Sequence, residues 1–241
     1  RTVSEDELRA ESGAAWQAAH QWPPPELETK LLFFAAGPSG TVASVNDGTL
    51  TASSPGPGVD HDDYTVDFTA RTGSFTRWTN SYGARRTEPE GTTFFDERAH
   101  EDEKSLTYTS KALVDDLLVV GYPVVRLWVA STHDDGDFFV WLEEVDGAGR
   151  SHYVTEGGLR ASHRALSQAP WNNFGLPFHR SFAEDISVLP AHPVELAFDL
   201  LGTATVFDAG HRIRVTVAGA SARDFALYPD PEGRDAPTVS V

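Results

Sequence analysis

An all-β fold, an antiparallel sandwich or jelly roll, is what this sequence predicts, and three observations predict it. From Gly210 to Ala220 (GHRIRVTVAGA), His211, Ile213, Val215 and Val217 alternate with Arg212, Arg214, Thr216 and Ala218, the two-residue period of a half-buried strand. More continuously apolar runs of strand length stand at Val124 to Ala130 (VVRLWVA), Asp137 to Val145 (DFFVWLEEV) and Val194 to Leu201 (VELAFDLL). Such segments recur at short spacing without helical periods between them, which favours an antiparallel sandwich or jelly roll over any βαβ fold.

Taken in order, Glu5 to Trp22 carries Leu8, Trp16 and several Ala in a polar background, a short helix or extended lead-in ended by Pro23, Pro24 and Pro25, which read as a polyproline spacer. Residues 1–25 are therefore expected to be a lead-in from a preceding domain and 26–241 the sandwich. Lys30 to Ala36 reads as a strand, followed by turns at Gly37-Pro38-Ser39-Gly40 and Asn46-Asp47-Gly48 and a hairpin-like return at Thr49 to Ala52. After the loop Ser53 to Gly58 the alternation resumes at Tyr64 to Phe68; Thr69 to Lys104, with its acidic run Glu97 to Glu103, reads as loop and short edge elements covering the sandwich. Further strands are expected at Leu106 to Thr109, Asp116 to Val120, Val124 to Ala130, Phe138 to Val145, Ser151 to Arg164, Phe178 to Val188, Val194 to Leu201 and Arg212 to Gly219.

With 241 residues a single core suffices without disulfides, and there is no Cys to form one or to serve as a thiol nucleophile. A net charge of −17 repels phosphate backbones and anionic membranes, so neither nucleic acid nor membrane is an expected partner. No run approaches the length of a membrane span, and the start RTVSEDELRA is charged where a secretory signal is apolar. Cysteine use leaves the compartment open; a soluble chain, in the cytoplasm rather than outside it, is the expectation. The chain has no Met and begins at Arg1, as a segment of a longer polypeptide would.

The sequence holds no G-x-S-x-G elbow and no phosphate-binding glycine loop, so no catalytic residue is expected. His61-Asp62-Asp63 and His133-Asp134-Asp135-Gly136-Asp137 combine metal-ligand types but match no calcium-loop spacing; they read as acidic turns, with no metal and no cofactor expected. His152, His163, His179 and His192 are irregularly spaced and read as structural histidines. Glu143 and Glu144 are neighbours on a strand and face opposite ways, which disqualifies them as a paired acid and base. The loop Pro170 to His179 (PWNNFGLPFH) offers Trp171, Phe174 and Phe178 beside Asn172 and Asn173, a composition suited to a docking surface or the wall of a neighbouring site, to loop packing, or to a sugar platform.

The order SLTYTSKALVDDLLVVGYPVVRLWVASTHDDGDFFVWLEEVDGAGRSHYVTEGGLRASHR, a proline-rich loop, then PVELAFDLLGTATVFDAGHRIRVTVAGA resembles the C-terminal domain of the X-prolyl dipeptidyl-peptidase and cocaine-esterase (CocE/NonD) serine hydrolases. WPPPELETKLLFF is similar to that family's entry into the domain. The resemblance implies a galactose-binding-like jelly roll following an α/β-hydrolase domain. That hydrolase domain carries the Ser-His-Asp triad, and none of the triad's motifs can be placed on this chain. It further implies that this chain is non-catalytic and supports the rim, stability and assembly of a parent that hydrolyses ester or X-Pro amide bonds. Its expected partners are the hydrolase domain of the same polypeptide and further copies in a homo-oligomer. Trp171, Asn172, Asn173, Phe174 and Phe178 are the rim or interface candidates. Arg160 and Arg164, four apart on the expected strand, join them as residues sharing a face and placed to pair with carboxylates, those across that interface among them. A free-standing carbohydrate-binding module is the competing reading.

Overall fold

The structure, a computed structural model, describes residues 20–56, 60–73, 98–222, 224–229 and 235–241. The chain divides at Lys30/Leu31 into two units. Of the first, the described part contains a turn in which the Leu27 N–H donates to Pro24 O at 3.2 Å, so a polyproline helix does not run through it. The expected lead-in helix falls, but for its last residues, outside the described residues.

The second unit is a β-sandwich. Its six-stranded sheet contains β1 (Phe33–Ala35), β2 (Asn46–Thr51), β4 (Leu106–Ser110), β11 (Arg212–Ala218), β7 (Asp137–Val145) and β8 (Ser151–Arg160), in that spatial order. A four-stranded sheet has the order β3 (Asp63–Thr65), β12 (Thr238–Ser240), β6 (Val124–Ser131), β9 (Val194–Asp199), and β5 (Leu117–Gly121) pairs with β10 (Thr203–Phe207) as a ribbon. Pairing is antiparallel except between β2 and β4. The core lies between the layers: Leu106, Tyr108, Phe138, Val140 and Val217 from the large sheet pack with Leu127, Val129, Leu196, Phe198 and Val239 from the smaller one.

Four expectations are corrected. Asn46-Asp47-Gly48 is not a turn but the start of β2. The Asp47 carboxylate accepts from Ser39 Oγ at 2.5 Å and the Gly40 N–H at 2.7 Å, and Gly48 is needed because the Tyr108 ring, itself stacked on Phe34 at 3.8 Å, lies 2.5 Å from where a Cβ would stand. The strand through Arg164 stops at Arg160, where a 3-10 turn at Ala161–His163 takes over. Phe178 to Val188 is no strand: Ser181 has φ 56°, and the segment's one element is the 3-10 turn Ala183–Asp185. Finally, the β11 face that carries Arg214 and Thr216 is not half-buried, since both side chains are closed off from water.

That last correction positions everything that follows. Strand β7 is buried on both faces, with Phe138, Val140 and Leu142 toward the core and Phe139, Trp141 and Glu143 on the far side. Residues 69–73 and 98–105, including the short helix α1 (Ala99–Asp102), supply the hydrogen-bonding partners on that far side. Strands β10 and β12, which the sequence did not mark, complete the ribbon and the smaller sheet.

Candidate docking surface and buried ion network

Arg214 and Glu143 are register partners on β11 and β7, with Thr109 on the other side of Arg214. The Arg214 guanidinium donates to Asp102 Oδ2 at 2.7 Å, Thr109 Oγ1 at 3.0 Å and Thr41 Oγ1 at 3.0 Å. Arg98, just before α1, donates from Nε to Glu143 Oε1 at 2.8 Å and lies 4.4 Å over the Trp141 ring. Glu143 Oε2 accepts from Ser151 Oγ. Trp141 Nε1 is shared between Thr72 Oγ1 (3.1 Å) and Glu156 Oε2 (3.0 Å), and Glu156 Oε1 accepts from Tyr153 OH at 2.9 Å. Two guanidinium and two carboxyl groups, each at most 1% exposed, thus sit together at α1. Closed to solvent, they cannot meet a substrate; they fasten residues 98–105 to the sheet.

Burial, with the Glu143 charge beside it, pushes Asp102 up to about 7 against the opposing pull of Arg98 and Arg214. A carboxyl whose folded value exceeds its unfolded one keeps a proton that the unfolded chain has released, so its stabilising contribution is complete at acid pH and declines as pH rises through roughly 4 to 7. Urea unfolding of the wild type and of Asp102→Asn is expected to show a steeper loss between about pH 5 and pH 8 in the wild type, because the amide has no proton to release. Parallel profiles would refute this.

Between Arg164 and β9 the chain makes a long excursion. Asn172 Oδ1 accepts the Phe174 N–H at 3.1 Å, Asn173 Oδ1 accepts the Gly175 N–H at 3.3 Å, and Asn173 Nδ2 donates to Leu176 O at 2.7 Å. Those bonds hold Phe174 and Gly175 at φ 58° and 76° and turn the aromatic side chains outward. Trp171 is 60% exposed, Phe174 is exposed too, and Phe178 is half-buried, edge-on to Trp171 at 5.1 Å. Leu166, Phe182, Ile186 and Val188 are likewise exposed.

The two arginines do not share a face. Arg160 makes a bidentate pair with Asp137, 2.8 Å on each arm, beneath the Tyr228 ring. Arg164, past the 3-10 turn, donates to the carbonyls of Ala161 (3.0 Å), Ser187 (2.8 Å) and Val188 (3.0 Å). Its partners are carbonyls rather than carboxylates, and its role in the fold is to pin the return of the excursion.

The acidic turns are engaged internally. Asp134 accepts from Tyr228 OH at 3.0 Å, Asp135 from the N–H groups of Gly136 (2.9 Å) and Ser162 (2.8 Å), and Asp62 from Tyr108 OH at 2.7 Å. Asp146, bonded by His152 and then by Arg150, is held below the usual carboxylate range. Among the described residues, Glu144, Asp208 and His211 bring ligand atoms within 4.8 Å of one another and could hold a cation. In this structure Glu144 Oε1 accepts from the Asp208 N–H at 2.9 Å and faces His211 Nδ1 at 2.8 Å, which fastens the turn before β11. The residues that sequence reasoning missed are Arg98, Asp102 and Arg214; an arginine in mid-strand between apolar neighbours was the available signal.

The family described as the X-Pro dipeptidyl-peptidase C-terminal non-catalytic domain matches residues 4–239. A Mycobacterium bovis protein, provisionally named a serine esterase, is 40% identical over 228 residues, covering 94% of this chain and 33% of that protein. In structure the chain is similar to an aminopeptidase from a marine sediment Thaumarchaeota archaeon (TM-score 0.62, 19% identity, 95% of this chain and 37% of that one). It is also similar to a CocE/NonD family hydrolase from Staphylococcus aureus (TM-score 0.59, 18% identity, 94% and 36%). The chain spans about a third of the length of these relatives.

Proposed function

The chain belongs to the X-Pro dipeptidyl-peptidase C-terminal non-catalytic domain family, and from that premise we propose that it is the accessory sandwich of a serine hydrolase acting on esters or X-Pro amides. It docks on the α/β-hydrolase domain of the same polypeptide through the excursion 166–188. In such a parent an activated Ser attacks the carbonyl, backbone N–H groups hold the oxyanion, and water hydrolyses the acyl-enzyme. This domain's share is to stabilise the hydrolase and shape the rim of its site.

The observation that carries the reading is the concentration of Leu166, Trp171, Phe174, Phe182, Ile186 and Val188, all exposed, on one segment outside the sheets. Exposed apolar clusters of this kind mark protein interfaces. The sugar-platform reading draws less support, because the loop's own turns use both Asn173 polar atoms and Asn172 Oδ1.

Hydrolysis of p-nitrophenyl acetate and of an X-Pro-p-nitroanilide is expected from the full-length parent and not from this chain. In the parent, Trp171→Glu combined with Phe174→Glu should weaken the domain contact by about 2–4 kcal/mol if these are central anchors, read as a lower melting temperature and reduced turnover. The same pair should leave this chain's own unfolding within about 0.5 kcal/mol of wild type. An unchanged parent would overturn the docking surface, and turnover by this chain would overturn the accessory role.

A further inference from the structure

His179 lies where the excursion passes β9, the last strand of the four-stranded sheet. Its Nε2 is 2.9 Å from Ala197 O on β9, and its Nδ1 is 3.3 Å from Ala165 O at the start of the excursion. Both partners are backbone carbonyls, which only accept. A neutral imidazole has one N–H and satisfies one of them; the imidazolium has two and satisfies both. From this geometry we infer that His179 is a proton-operated clasp that, when charged, ties the start of the excursion to the edge of β9.

The surroundings suit a switch. The Asp199 carboxylate on β9 is raised by burial and drawn back by its own backbone N–H and then by the His179 charge. The neighbouring cations have other partners: Arg180 is paired with Asp185, and Arg164 with the carbonyls of Ala161, Ser187 and Val188. The far arm is held by bonds that do not involve the imidazole, Ser187 N–H to Ser162 O and Leu189 N–H to Asp134 O. The near arm, 165–179, has the Ser167 N–H to Phe178 O bond beside the clasp. Loss of the proton therefore loosens the arm that carries Trp171 and Phe174 and leaves the return arm in place. The clasp deepens the docking proposal by giving that surface a pH control, yet its test needs no partner.

Hydrogen exchange of the 241-residue chain, corrected for intrinsic rates, is the experiment. Protection of 165–179 is expected to fall about fivefold to tenfold between about pH 5.5 and pH 8.5, with 185–189 steady, and in His179→Gln the fall should vanish. Equal protection at both pH values, or the same fall in the variant, overturns the clasp. Independently, nitrogen-15 spectra of the wild-type ring should show both nitrogens protonated at about pH 5.5, each with a slowly exchanging proton; a ring whose protons exchange freely with solvent also overturns it. Failure of either leaves the docking surface standing, because that is tested in the parent by Trp171 and Phe174.

Discussion

Replacing Arg214 by Met is expected to destabilise the sandwich by about 3–5 kcal/mol near pH 8, the loss typical of breaking a buried ion pair from one side. For a chain of this size that lowers the melting temperature by roughly 10 °C. The guanidinium holds Asp102, Thr109 and Thr41 at once, so its removal strands an anion that is 0% exposed beside the equally buried Glu143. Asp102 can escape by taking up a proton, since it already stands at about 7 in the intact network. The loss should therefore be smaller near pH 5 than near pH 8. Removing both ends, as Arg214→Met with Asp102→Asn, should cost less than the sum of the two single changes, because a neutral pair leaves no unpaired charge. Urea unfolding of the four proteins at both pH values decides it: additive losses, or a pH-independent Arg214→Met, would mean that the charges are solvated and that the outer face of the large sheet is open.

This network also shows where reading the sequence reaches its limit. The strands whose inner residues build the core announced themselves by alternation or by apolar runs: β6, β7, β9 and β11 lie close to where the pattern put them. Arg214 and Thr216 fitted that pattern as a solvent face because a charged side chain on one side of a strand is ordinarily wet. What makes the site dry is Asp102, 112 residues earlier, on a four-residue helix too short to leave a period. At the excursion the aromatic composition was legible and the conformation was not. Alternation from Phe178 onward resembles a strand, but the left-handed Ser181 breaks it, and the Arg164 and His179 contacts that hold the segment are to backbone carbonyls, which no side-chain pattern records. Arg160 does pair with a carboxylate, as its place in the sequence leads one to expect, and that carboxylate is its register neighbour on β7, Asp137.

A second large effect is expected at Gly157, in the middle of β8, where the strand pattern offered no reason for a glycine. A Cβ there would stand 2.7 Å from Asp199 O and 3.0 Å from Leu200 Cα, both backbone atoms that cannot swing aside. The approach is close because the chain leaving β9 is stitched to β8 at this point: the Leu201 N–H donates to Glu156 O at 2.9 Å, and Thr155 Oγ1 donates to Leu201 O. Gly157→Ala must therefore separate the two sheets locally or bend β8, and bending β8 displaces Glu156 from Trp141 and Thr72. The expected loss is about 3 kcal/mol, the upper end of overpacking in a well-filled interior. Gly147→Ala is the matched control, since its Cβ meets nothing within 4 Å and its φ lies outside the left-handed region; it should stay within about 0.5 kcal/mol of wild type. Equal unfolding midpoints for the two variants would show that β8 and the segment after β9 do not touch, and the crossing would then have to be placed elsewhere. A large loss confined to Gly157→Ala ties the closure of the sandwich to the same strand that anchors the buried network, so that one glycine keeps both in register.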